Sequence, residues 1–222
     1  MTPEPGQAQR RPATVPIPSD GLKIALMVLA GCVAVLSAVS SVGTIVVTDK
    51  ITGGTPADDL PLPLLAFQMG PALLIVPLII GSWIVAGIWL MQAQDAARAL
   101  YPHTEQRRAK AWSLLGWIVP IANLFVPSML VNDLLRAARG AAGALAGWWW
   151  TCWLAMLIAN RVQSQALDLR PGEDGGQIVF FAGIGVVAAL AGGLLWIRII
   201  STIAEGLEDP DAHQDYARRT PR

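Results

Sequence analysis

The chain has 222 residues, 54% of them apolar and 14% charged, and its sixteen Lys+Arg balance its sixteen Asp+Glu. A soluble domain carries roughly 25% charge, so this composition excludes an ordinary water-facing surface, and without a basic excess it excludes a nucleic-acid partner. Together with a mean hydropathy of +0.49, it points to an all-α integral membrane protein whose solvent is the lipid bilayer.

Residues 1–21 hold Pro3, Pro5, Pro12, Pro16 and Pro18 and no apolar run, which predicts a disordered cytoplasmic tail. Arg10-Arg11 ahead of an apolar stretch has the look of a twin-arginine export signal, but the stretch is too long for a cleaved signal. A helical membrane domain is expected over 22–204. Crossing about 30 Å of hydrocarbon takes about 20 apolar residues as helix, because every backbone group must be bonded internally. Four segments meet that demand: 24–47, 64–91 (broken by Pro71 and Pro77), 143–160 and 178–200. The third is short and begins beside Trp148, Trp149 and Trp150, rings that favour the headgroup level; Trp89 and Trp196 are candidates for the same belt. Small residues recur every four positions at Ala30, Ala34 and Ala38 and again at Gly185, Ala189 and Gly193. Such stripes let helix backbones approach closely in lipid, either within one bundle or, through the Gly185 stripe, in a homo-oligomer. Residues 205–222 mix acids and bases and read as a solvated cytoplasmic tail.

Between the second and third spans lies AWSLLGWIVPIANLFVPSMLV, long enough to cross but interrupted by Pro120, Asn123 and Pro127. A straight helix would lose hydrogen bonds at both prolines. Beyond Pro127 the period changes: Leu130, Val131, Leu134, Leu135 and Ala138 share one face, Ser128, Asn132, Arg136 and Arg139 another. The pattern predicts a re-entrant or interfacial element over 112–139, its second half a helix lying on the membrane surface.

Charge counting bears on the topology. If this element returns to the side it came from, four spans leave thirteen basic residues inside and only Lys50, Arg161 and Arg170 outside; if it crosses, the split is nine to seven. The positive-inside bias favours the first arrangement, with both termini cytoplasmic in the plasma membrane.

Chemistry-bearing residues are sparse. No acid lies in mid-span, which argues against a proton relay, and there is no nucleophile elbow, zinc-protease motif, phosphate loop or dinucleotide fingerprint. Cys32 and Cys152 lie in apolar runs and read as small core residues; His103 and His213 are isolated. No cofactor or metal is expected, and no enzyme. Asn123 is placed to bond backbone groups freed by the prolines, and Asp133 to pair with Arg136 three residues on.

Trp112, Gly116-Trp117, Pro120, Asn123-Leu124, Pro127, Asp133-Leu134, Arg136-Ala137 and the later Trp148-Trp149 and Trp153 are spaced as in an uncharacterised family of small actinobacterial multi-span membrane proteins, which the chain resembles over about 85–155. It departs from that family's pattern at Phe125 and Ser128, where tryptophan and an aromatic residue are usual. The resemblance implies an actinobacterial plasma-membrane protein with the motif at the cytoplasmic face, and no activity.

The functional expectation is a non-catalytic interaction or scaffold module whose cytoplasmic face binds anionic lipid or a membrane or cytoplasmic protein. Six bases, Arg98, Arg107, Arg108, Lys110, Arg136 and Arg139, stand beside the amphipathic helix and tryptophans there. The alternative is a small-solute channel or transporter, oligomeric if need be, that uses the proline- and asparagine-bearing element.

Overall fold

The computed structural model describes residues 17–101, 109–139, 144–169 and 175–208. Among them it is all-helical: α1 (Asp20–Thr52), α2 (Leu62–Leu100), α3 (Trp112–Ile118), α4 (Pro120–Asn123), α5 (Val126–Arg139), α6 (Ala144–Leu169) and α7 (Gly175–Glu208), with a single short 3-10 turn, Ala57–Asp59, between α1 and α2. Most of the two expected tails lies outside the described residues. The last helix continues past the boundary expected at 205, because Ile203, Ala204 and Leu207 keep burying one face.

Three helices, α1, α2 and α7, are long and apolar enough to cross a membrane, and a fourth if the bent α3–α5 segment is counted as one span. The expected third span lies in α6, whose 26 residues make about 39 Å of helix; its tryptophans and Thr151 dilute its apolar character, and it is not among the three. Pro71 and Pro77 do not break the second apolar run: α2 is a single helix through both. The Ser40 hydroxyl on α1 donates to the Gln68 carbonyl at 3.3 Å, and the Gln68 amide reaches Thr44 Oγ1 at 3.4 Å, so the polar groups of this stretch are met by α1.

The long helices pack as a row in the order α2, α1, α7, α6, with α1 against both α2 and α7 and α6 against α7. The small-residue stripes meet at the centre of the row. A Cβ on Gly193 would lie 2.6 Å from the Ala34 Cβ, and one on Gly185 would lie 3.1 Å from Ser41 Oγ; Ala30, Ala34, Ala38 and Ala189 are buried along the same seam. In lipid, where water does not drive helices together, such backbone proximity gives the dispersion contacts that do. Gly206 does the same for α5, since a Cβ there would stand 2.5 Å from the Ala138 carbonyl oxygen.

One end of the bundle is tied by polar contacts. Lys23 near the start of α1 pairs with Asp20 at 2.7 Å and with Glu208 at the end of α7 at 3.0 Å; Tyr101 donates its hydroxyl to the Gly206 carbonyl at 2.6 Å, and the Ser19 N–H donates to the Gln92 side chain at 2.9 Å. The start of α1 and the ends of α2 and α7 therefore stand together. Hydrogen bonds to Asp20 first and Glu208 second hold the Lys23 ammonium above its ordinary value of 10.5. A base whose folded value is raised contributes its stabilisation in full below 10.5, and the contribution fades as pH climbs through the raised value.

Two outcomes follow for detergent-solubilised protein. Gly193→Leu forces α7 off Ala34 and loses about 1–3 kcal/mol or more, whereas Gly183→Leu, at a position where a Cβ meets nothing within 4 Å, stays within about 0.5 kcal/mol, as read by denaturant unfolding. The melting temperature of the wild-type protein declines above pH 10.5 more steeply than that of Lys23→Gln.

Candidate functional site

The motif-bearing residues build an elbow. Each proline, instead of interrupting a helix, opens one: Pro120 begins α4 and Pro127 sits in the first turn of α5, where a missing N–H costs nothing. Val119, which precedes a proline, is extended at φ −79° and ψ 116°, and the chain turns by 110° between α3 and the segment after it. Gly116 lets the two arms close, because a Cβ there would fall 2.8 Å from Val126 Cγ1. The carbonyl left over at the bend, that of Leu124, accepts a hydrogen bond from the Trp150 indole N–H at 3.1 Å. Asn123 is expected to bond backbone groups freed at the prolines, and its Oδ1 is buried with no donor among the described residues; the sequence carries no signal for Trp150 at the Leu124 carbonyl, since the contact joins residues 26 apart.

The α5 stripe also meets a different partner from the expected one. Leu130, Val131, Leu134, Leu135 and Ala138 are buried against α7, α2, α3 and α6, so this helix spends its apolar face on protein. What the elbow offers outward is its tip, where Ile118, Val119, Ile121, Leu124 and Phe125 are exposed.

Trp117, on α3, is carried by the elbow into the middle of the bundle and is only 6% exposed. Three helices contribute rings around it: Trp83 of α2 lies roughly parallel at 6.3 Å, Trp149 of α6 and Trp196 of α7 meet it edge-on at 6.4 and 6.5 Å, and Trp149 stacks on Trp196 at 4.6 Å. Such pairs add about 0.5–1.5 kcal/mol each beyond their burial. The headgroup belt expected of these residues is therefore corrected. Trp89, Trp149, Trp150 and Trp196 are buried, and of the WWW run only Trp148, 64% exposed, points out. One helical turn cannot aim three successive side chains the same way. Trp112 is half-buried at the start of α3. Cys32, read as a core residue, is exposed on α1, and Cys152 is half-buried.

Beside Trp117 the row of helices leaves a cavity of about 100 Å³. Its floor is the α1–α7 seam with Ala30, Ala34, Ala189 and Gly193; its walls are Trp83 and Ser82 on α2 and Trp149, Trp153 and Met156 on α6. Among the described residues α2 and α6 make no extended contact with each other, so the cavity lies in a cleft between them. The Trp117 and Trp153 side chains help to line it, while their indole N–H groups are buried with no acceptor among the described residues, a state that costs about 1–3 kcal/mol for each donor.

The basic residues gather at the tied end. Arg98 is in the last turn of α2; Lys110 is in contact with the Asp95 carboxylate; Arg136 lies 3.8 Å from Asp133, which is 6% exposed; Arg139 donates to Thr202 Oγ1 on α7 at 3.2 Å. Arg107 and Arg108 lie outside the described residues. Lys110, Arg136 and Arg139 are thus engaged by the chain's own side chains. No group of three or more His, Cys, Asp or Glu that could hold a metal occurs among the described residues.

Residues 65–205 match the family model described as a domain of unknown function, DUF4328. The match takes in nearly all of α2 and everything from the elbow to Glu205, including the tryptophan cluster, and leaves out α1. Neither a curated protein nor a solved structure matches the chain.

Because Trp117 joins four helices, Trp117→Ala is expected to lose about 3–5 kcal/mol, while Trp148→Ala, at the surface, loses under about 1 kcal/mol; denaturant unfolding followed by circular dichroism in detergent distinguishes them.

Proposed function

Since the chain belongs to the DUF4328 family, to which no activity is attached, we propose that it is a non-catalytic integral protein of an actinobacterial plasma membrane, an interaction module that presents a basic cytoplasmic face to anionic lipid headgroups or to a partner protein. The observation that carries this reading is the gathering of Arg98, Lys110, Arg136 and Arg139 at the end of the bundle where the start of α1 and the end of α7 also stand. In the proposed topology α1, α2, α6 and α7 cross, and both termini are cytoplasmic. The far end, with the Gly54 turn at φ +92° and the acids Asp49, Asp58 and Asp59, faces outward. A bend of 110° and an apolar exposed tip support an elbow that enters the hydrocarbon from the cytoplasmic side and returns, since the charged residues of α5 rejoin the basic end.

A second reading, a small-solute channel or transporter built on the elbow, draws on Asn123, whose buried Oδ1 has no partner at the bend. It loses the support of a broken second span, because α2 runs unbroken through Pro71 and Pro77. Flux in proteoliposomes that is abolished by Asn123→Leu would establish it.

The topology is tested with Cys32 and Cys152 replaced by alanine and single cysteines introduced. A membrane-impermeant maleimide added to intact cells labels Asp58→Cys and leaves Arg139→Cys unlabelled; the reverse pattern sinks the proposal. For the basic face, each base near an anionic surface is worth about 1 kcal/mol, so changing Arg98, Arg107 and Arg108 together to glutamine removes most of the co-purifying anionic lipid or partner protein. An unchanged complement of both would eliminate the interaction reading.

A further inference from the structure

We infer that the cleft between α5 and the start of α6 is a binding site for one anionic glycerophospholipid of the cytoplasmic leaflet. The proposed topology brings this end of the bundle to that leaflet, and the site rests on that placement but not on what Arg98, Arg107 and Arg108 bind. The cleft measures about 310 Å³; Ser128, Met129 and Asn132 line it from α5, and Ala144, Gly147 and Trp150 from the first two turns of α6. The apolar stripe of α5 is covered by neighbouring helices. Its polar side, with Ser128 and Asn132, is the one that meets the cleft.

Three steps of chemistry along α5 select the ligand. Around the start of the helix Phe125 and Met129 are exposed and apolar. Farther along, Asn132 is half-buried on the cleft wall, and its side-chain amide makes no hydrogen bond to a described residue. The other donors of the lining are spent: the Ser128 hydroxyl donates to the Phe125 carbonyl at 2.8 Å, and the Trp150 indole N–H to the Leu124 carbonyl at 3.1 Å. The Asn132 NH2 group is thus left for a ligand, and a neutral carbonyl oxygen is the acceptor that suits it. One turn beyond, about 6 Å of rise, stands Arg136, whose side chain is 31% exposed and whose contact with Asp133 is 3.8 Å long. That distance exceeds hydrogen-bond reach, so the guanidinium keeps N–H donors for an anion. An apolar surface, a neutral donor and a cation, in that order towards the basic end, match the acyl chains, ester carbonyls and phosphate of a diacyl phospholipid. No acid stands among the described lining residues or in the first turn of α6. A choline or ethanolamine cation therefore finds no counter-charge in the cleft, which favours phosphatidylglycerol over zwitterionic lipids. A water-soluble phosphate ester would use Arg136 and leave the apolar step unfilled.

The test uses the full-length protein purified in detergent and titrated with dioleoylphosphatidylglycerol, read by native mass spectrometry. Expected is a saturable one-to-one adduct. Three further probes on the wild-type protein identify the contacts: dioleoylphosphatidylcholine, which adds a headgroup cation; a dialkyl ether analogue of phosphatidylglycerol, which lacks the ester carbonyls; and soluble glycerophosphoglycerol, which lacks the chains. The first two bind about tenfold more weakly, the value of roughly one hydrogen bond, and the third gives no adduct. Asn132→Leu weakens the ester lipid about tenfold and leaves the ether analogue unchanged, a difference that a misfolded variant would not show. Gly147→Phe, at a position where a Cβ meets nothing within 4 Å, fills the cleft from α6 and abolishes the adduct. The assignment is overturned if the adduct is as abundant in Gly147→Phe as in the wild type, if Asn132→Leu treats ester and ether lipids alike, or if phosphatidylcholine or the soluble headgroup binds as tightly as phosphatidylglycerol. Failure here, with the triple glutamine variant of Arg98, Arg107 and Arg108 still losing its lipid or partner, leaves the basic-face reading standing; a specific adduct here with an unchanged complement there sinks that reading and keeps the cleft.

Discussion

The close approach of α7 to α1 governs the arrangement of everything else. With no side chain at Gly193 and only methyls at Ala30 and Ala34, the two backbones come together until a single added carbon on Gly193 would overlap Ala34. That seam puts α1 and α7 at the centre of the row and sends α2 and α6 to its flanks. A row of four helices cannot close on itself through side chains alone, and the space left between the outer two has to be filled by another element or left as a cleft. Here both happen, with the elbow filling one part and the tryptophan-lined cavity remaining beside it.

The elbow is a solution to a backbone problem. Two prolines seven residues apart would leave carbonyls unbonded in any straight helix. Letting each proline open its own helix removes the loss, at the expense of a sharp turn whose exposed carbonyl must still be met. Trp150 meets it, so α6 holds the elbow through a hydrogen bond and through the edge-on contact of its neighbour Trp149 with Trp117. The same turn brings Trp117 inward and leaves Ile118 to Phe125 outward, apart from the half-buried Ala122 and Asn123, with Pro120 outside the described side chains. A buried aromatic anchor and an apolar exposed tip are therefore two consequences of one bend.

At the tied end, charge does structural work before it is available to anything else. Lys110 is held by Asp95, Arg136 is drawn to Asp133, Arg139 reaches across to α7, and Lys23 links α1 with α7. The more exposed of these contacts contribute little each, about 0–1 kcal/mol; Lys23 ties the start of α1 to the end of α7, and Arg139 ties the end of α5 to α7. Any partner of this face meets a surface whose cations are already oriented. The apolar cleft differs in kind: its lining carries no charged side chain.

From the sequence alone came the helical class, the apolar segments, the two small-residue stripes, the amphipathic period of α5 and the uneven distribution of sixteen bases and sixteen acids. All of these are local, written in the spacing of residue types along a few turns, and a few turns of helix suffice to state them. The tertiary structure decided what each face meets. Periodicity could show that Leu130, Val131 and Leu134 share a side of α5, but not that the side would be covered by α7 instead of lipid; a run of three tryptophans suggested the membrane boundary, yet two of them turned inward. The Trp150 bond to Leu124, the pairing of Lys110 with Asp95 and the five-tryptophan wall of the cleft each join residues far apart in the chain. Spacing within a helix carries no information about them, because they exist only once the seam between α1 and α7 has placed the helices.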